Sequence, residues 1–76
     1  MRTKITELLG WLKSATDQDV IRTGTSRGYL RLIGYGHKTA SPEMAAAIEA
    51  VTAGLVSRQT LRPDDWKKIW PELLAA

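Results

Sequence analysis

The chain has no cysteine, no phenylalanine and no long run of apolar residues. Without cysteine, neither a disulfide framework nor a zinc site with thiolate ligands can stabilise it. No segment approaches the roughly 20 apolar residues of a membrane span. Residues 5–12 are apolar only at helical spacing and include Glu7 and Gly10, so they do not resemble a signal peptide. These absences predict a cytoplasmic protein.

Groups that could perform catalysis or hold a metal are also scarce. His37 is the only histidine, and neither a cysteine nor a carboxylate lies near it in sequence. No paired carboxylates converge, and no nucleophile elbow or phosphate-cradling glycine loop is present. The sequence therefore predicts no enzyme, no metal and no cofactor, and it places His37 in a loop, where it could contact a phosphate together with Lys38.

With 76 residues the chain is near the lower size limit for one self-sufficient core. We expect a single domain over 1–76, with a motif at 16–36 and a C-terminal tail at 57–76. Dimerisation is a plausible additional source of stability for a chain of this size.

Acidic residues are absent from residues 20–42, and this absence concentrates positive charge there. The whole chain carries a net charge of +3. That window contains Arg22, Arg27, Arg31 and Lys38 and is therefore +4, while 1–19 is neutral and 43–76 is −1. A local basic patch indicates nucleic-acid binding. The alternative is an exposed basic helix with no partner.

Residues 16–36 read as two short helices joined by a tight turn. Thr16 or Asp17 is predicted to cap the first helix, which runs to about Thr23. Gly24 supplies the left-handed conformation that ends it, and Ser26 caps the second helix, 27 to roughly 34. Such a connection forces a steep crossing, which is the geometry of the helix-turn-helix.

The second helix of this pair has two different sides. Leu30 and Ile33, with Tyr29 beside them, form the predicted inward stripe. Arg27 and Arg31 fall on the outward side, where they could read guanine O6/N7 edges or clamp phosphates. The predicted DNA-binding residues are Gln18, Thr25, Ser26, Arg27, Gly28, Arg31, Tyr35 and Lys38.

Helices are also predicted on both sides of the motif. The first runs from Thr3, its possible cap, to about Ser14, and Gly10 within it indicates a close approach of a neighbouring helix. Ser41 and Pro42 begin another, which runs to about Thr52 with Ala53-Gly54 at its end. Its apolar stripe is Met44, Ala47, Ile48 and Val51.

The C-terminal tail has weaker signals. Residues 55–61 could form a helical turn capped by Ser57 or a short strand, and the lack of alternation favours the turn. Asp64 is predicted to cap a last helix from 65 to about 69, which Pro71 interrupts. Two alternatives stay open for the apolar tail residues: a lid on the core or a dimer or partner interface. These residues are Trp66, Ile69, Trp70 and Leu73.

Several segments together resemble a known family. They are TGTSRGYL at 23–30, GHK at 36–38, SPE at 41–43, AIEA at 47–50, LRPDDW at 61–66 and IWPEL at 69–73. This pattern is similar to the Cro-type transcriptional regulators of phages and prophages, including the YdaS-like group described as antitoxins.

The resemblance implies an all-α, lambda-repressor/Cro-like helix-turn-helix bundle of about five helices with a short helical tail. It further implies a nucleoid-associated repressor that binds a palindromic double-stranded DNA operator as a homodimer. Ser26, Arg27, Gly28 and Arg31 match the groove-facing positions, Leu30 and Ile33 the core, and Gly24 the turn.

The chain departs from the family pattern at two positions and leaves one functional alternative open. Val20 stands where alanine is usual, and Thr23 stands where an apolar residue is usual, which predicts looser or shifted packing. The alternative function is an antitoxin or protein-interaction module that binds a toxin through the tryptophan-rich tail.

Overall fold

A computed structural model describes residues 4–74. Within that range the elements are α1 Thr6–Ser14, α2 Asp17–Arg22, α3 Arg27–Gly34, α4 Pro42–Val51, α5 Arg58–Leu61, α6 Trp66–Ile69 and a 3₁₀ turn Pro71–Leu74. No β-strand occurs in this part of the chain. The predicted all-α class and the helical turn near 55–62 are therefore confirmed, and the interruption at Pro71 is present.

Side-chain caps fix the start of four helices. The Thr16 hydroxyl accepts a hydrogen bond from the Asp19 backbone N–H at 3.1 Å, and the Asp19 carboxylate accepts one from the Thr16 N–H, which completes a capping box. Ser26, Ser41 and Ser57 each accept a hydrogen bond from the backbone N–H three residues later. Each cap stabilises its helix by about 1 kcal/mol.

Helix α1 starts later than the sequence predicts. It begins at Thr6 after Ile5, which makes no side-chain cap, and the Ile5 N–H instead donates to the Gly34 carbonyl at 2.8 Å. A tertiary hydrogen bond thus satisfies a donor that precedes the helix. The predicted cap, Thr3, lies outside the described residues.

One apolar cluster joins α1 to α5. Its largest fully buried side chains are Leu8, Leu30, Ile33, Ile48, Val56 and Leu61. Thr23 is buried beside Val20, and its hydroxyl donates to the Val20 carbonyl at 2.6 Å. The unusual threonine before the turn is therefore accommodated with its polar group paired.

The close approach between two helices lies at a different glycine from the predicted one. Gly10 is exposed, and a Cβ added there would meet nothing within 4 Å, so the predicted close approach at Gly10 is wrong. The close approach is at buried Gly34, where a Cβ would lie 2.6 Å from Leu9 Cδ2 and 2.9 Å from Leu9 Cγ. Gly34 lets α3 pack directly on α1.

Arginine contacts attach the tail to the body. The Arg62 guanidinium donates to the Ala40 carbonyl at 2.6 Å and to both oxygens of Asp65, at 3.0 and 2.6 Å. The hydrogen bonds that Arg62 donates to the Asp65 carboxylate raise the pKa of Arg62, so its charge persists at any ordinary pH. The prediction of an Asp64-capped helix starting at 65 is wrong by one residue. Asp65 has a non-helical backbone and its carboxylate pairs with Arg62, so α6 begins at Trp66.

A second arginine connects α4, α5 and the tail. Arg58 Nε lies 2.9 Å from Glu49 Oε1, and the Arg58 backbone N–H donates to Glu49 Oε2 at 3.1 Å. The guanidinium carbon also lies 5.2 Å from the ring centroid of Trp70.

Over residues 4–74, no helix has the length and apolarity needed to cross a membrane.

Candidate nucleic-acid interface

The turn between α2 and α3 occupies residues 23–26. Gly24 has φ +87°, in the region that favours glycine, and its N–H donates to the Ile21 carbonyl at 3.0 Å. Ser26 is extended and caps α3. The bend predicted at Gly24 is confirmed, and it separates α2 from α3.

The outer face of α3 consists of the exposed residues Gly28, Arg31 and Leu32, and the exposed Tyr35 follows directly after the helix. Leu30 and Ile33 are buried on the opposite side, as predicted, and Tyr29 is half-buried against the core. Leu32, which is 40% exposed, lies on this face and is not among the residues predicted from the sequence. Its position four residues after Gly28 was the available signal, because residues at that spacing share a helix face.

Arg27 does not project outward, and that part of the prediction is wrong. Its guanidinium turns back to α1, donating to the Leu12 carbonyl at 2.7 Å and to the Ala15 carbonyl at 3.0 Å. It also pairs with Asp17 at 3.2 Å. Carbonyls at the end of a helix lack intrahelical donors, so Arg27 satisfies the end of α1 instead of extending from α3.

Arg31, by contrast, is exposed, and no carboxylate among residues 4–74 lies within ion-pair distance of it. It lines a small pocket between α1 and α3, which we call the Lys13 pocket. The residues lining this pocket are Leu9, Leu12, Lys13, Arg31 and Tyr35. The Nζ of Lys4 lies 5.4 Å from the ring centroid of Tyr35 at the same end of α3.

The remaining predicted DNA-binding residues lie in α2, at the turn before α3 and in the loop after it. Gln18 is exposed in the first turn of α2, and Ser26 is exposed at the start of α3. Thr25 is half-buried in the turn, and Lys38 is exposed with His37 in the loop before α4. Their roles in binding stay predictions.

The folded structure therefore changes which cations belong to the basic patch predicted at residues 20–42. The patch loses Arg27 to an internal contact, and Lys13 of α1 joins Arg31 in the Lys13 pocket. Lys13 was missed because, on the sequence, it is only a polar residue opposite the apolar stripe of helix one. No group of three histidine, cysteine or acidic side chains in the described part of the chain is placed to hold a metal ion.

The structure supports the lid alternative for one of the four apolar tail residues. Trp70 packs against the core, as the lid alternative predicts. Trp66, Ile69 and Leu73 are half-buried, and Lys67 Nζ lies 5.8 Å from the Trp66 ring centroid. A dimer or partner role for these residues stays a prediction.

Comparison with known proteins adds one decisive relative. No protein-family profile matches the chain. A prophage transcriptional regulatory protein of Escherichia coli strain K12 is 40% identical to it over 47 residues, which are 62% of the chain and 71% of that protein. The chain belongs to this family of prophage regulators. Family membership confirms the prophage-regulator part of the sequence resemblance, and the YdaS-like subtype stays a prediction.

Proposed function

We propose that the chain is a sequence-specific DNA-binding transcriptional repressor of phage or prophage type, with α3 as its recognition helix. The observation that carries the proposal is the outer face of α3, which holds Gly28 and the exposed Arg31, a cation with no carboxylate within ion-pair distance among residues 4–74. Membership of the prophage-regulator family supports the same function.

The dimensions and chemistry of α3 suit a major groove. An α-helix with its side chains is about 10–12 Å in diameter, which fits the groove width of roughly 12 Å, and the eight residues of α3 form about two turns. Gly28 lets the helix backbone approach the bases, and Leu32 offers an apolar contact for a thymine methyl. Gln18, in the first turn of α2, lies beside the DNA backbone. Repression follows by occlusion, because a bound regulator blocks polymerase at the promoter.

Dimeric binding to a palindromic operator is part of the proposal. One short recognition helix contacts few base pairs, and two copies on half-sites about 34 Å apart double that contact. Sedimentation of the protein with a full operator and with a half-site duplex tests this part. Two chains per full operator are expected, and one chain per full operator at saturation contradicts dimeric binding.

The DNA that flanks the protein's own gene is the first ligand to test. Fluorescence anisotropy at two salt concentrations should show binding that weakens steeply as salt rises, together with preference over a scrambled duplex. Salt-dependent binding without preference would limit the protein to non-specific contact. Absence of binding at low salt would overturn the proposed function.

Two helix glycines provide a matched pair of variants. Gly28→Ala and Gly10→Ala each add a methyl group where nothing lies within 4 Å, so both should stabilise the fold by up to about 1 kcal/mol. Only Gly28→Ala should weaken operator binding, because only Gly28 is on the outer face of α3. Thermal unfolding and anisotropy measure the two effects, and equal operator affinity for both variants would contradict close approach at Gly28.

A further inference from the structure

We propose that the Lys13 pocket binds a backbone phosphate of duplex DNA, so that α1 contributes to the interface outside the helix-turn-helix. This inference rests on the proposed function and extends it. It also selects between the two roles predicted for Arg31, assigning it to a phosphate.

The pocket has the composition of an anion site. Lys13 from α1 and Arg31 from α3 are both exposed cations, and neither has a carboxylate within ion-pair distance among residues 4–74. The phenol of Tyr35 adds a hydrogen-bond donor, and Lys4 beside its ring adds positive charge. A phosphodiester supplies one negative charge and acceptor oxygens that match these donors.

Two contacts hold α1 and α3 in place relative to each other before DNA binds. Arg27 of α3 donates to the carbonyl of Leu12, the residue directly before Lys13. Gly34 of α3 packs closely on Leu9, which also lines the pocket. Lys13 and Arg31 therefore extend from two helices fixed to each other, and less freedom is lost on binding than with two independent lysines.

The position of the pocket favours phosphate over a base edge. It lies between α1 and α3, whereas Gly28 and Leu32, four residues apart on α3, share a line of the outer face that does not border the pocket. When that line faces the bases, groups beside it meet the sugar-phosphate backbone. Arg31 is on the side of the helix that faces Lys13.

The test replaces Lys13 by glutamine and uses Lys68→Gln as the matched control, since Lys68 is an exposed cation on α6. Operator affinity is measured by anisotropy across a salt series. Lys13→Gln should reduce the slope of log affinity against log salt by about 1 and weaken binding on the order of five- to tenfold at 0.1 M salt. The loss should be equal for the operator and for base-substituted duplexes, and Lys68→Gln should behave as wild type.

A scan with single neutral methylphosphonate linkages identifies the phosphate itself. Wild type should lose affinity at each contacted linkage, and at one of those linkages per half-site the loss should be smaller for Lys13→Gln than for wild type. Unchanged salt slope in Lys13→Gln, an equal effect of Lys68→Gln, or no linkage coupled to Lys13 would overturn the inference while leaving the proposed function intact. Failure of wild type to bind any duplex would overturn the proposed function as well.

Discussion

Replacing Arg27 by methionine should lower the free energy of unfolding by about 1–3 kcal/mol, even though its position on α3 suggests an exposed, dispensable cation. The guanidinium donates to two carbonyls, of Leu12 and Ala15, at the end of α1. Methionine keeps much of the aliphatic packing and removes those donors. Urea or thermal unfolding measures the change.

The same substitution at Arg31 is the matched control. Arg31 lies four residues further along α3 and is exposed without an internal acceptor in the described part of the chain. Arg31→Met should change stability by no more than about 0.5 kcal/mol, while it weakens DNA binding. If Arg27→Met is as stable as Arg31→Met, the carbonyl contacts of Arg27 contribute nothing to the free energy of unfolding. Arg27 would then count again among the outward-facing residues of α3.

A third variant separates the carbonyl contacts of Arg27 from its ion pair. The Asp17 side chain is 96% exposed, so its pairing with Arg27 is screened by water. Asp17→Asn should therefore cost less than about 0.5 kcal/mol. A larger loss for Asp17→Asn than for Arg27→Met would show that the acid, and not the helix end, is the important partner.

The sequence predicts the helix starts after Ser26 and Ser41, and it includes Thr16 and Ser57 among the alternatives that the structure confirms, because each cap is a local interaction. Ser26, for example, needs only a hydroxyl three residues before an N–H in a segment that can form a helix. No distant part of the chain has to be known. Boundaries set by tertiary contacts are not accessible in this way, and the start of α1 after Ile5 is such a case.

The sequence alone does not show which groups the long side chains contact. Helical periodicity fixes the direction of the Arg27 Cβ, but the long side chain then reaches acceptors on α1 that only the fold brings near. Lys13 is the opposite case, because this residue of α1 lies beside α3 only once α1 packs on α3. The sequence therefore predicts the helix and the turn of the candidate site, but only some of its cations.

Gly34→Ala should destabilise the fold by about 1–3 kcal/mol, although alanine is the better helix former by up to about 1 kcal/mol. The added methyl group would lie 2.6 Å from Leu9 Cδ2 and 2.9 Å from Leu9 Cγ, distances at which α1 or the Leu9 side chain must move. Gly10→Ala, with open space at the same distance, should instead stabilise. Opposite signs for two glycine-to-alanine changes are the expected result.

A double-mutant cycle with Leu9→Ala tests the cause. Leu9 is half-buried, and shortening it removes the atoms that an alanine at 34 would meet. In the Leu9→Ala background, Gly34→Ala should lose most of its cost, giving a coupling of at least about 0.5 kcal/mol. If Gly34→Ala stabilises as Gly10→Ala does, α1 and α3 are not in close contact at this point. Lys13 and Arg31 would then lack the rigid frame that the phosphate site requires.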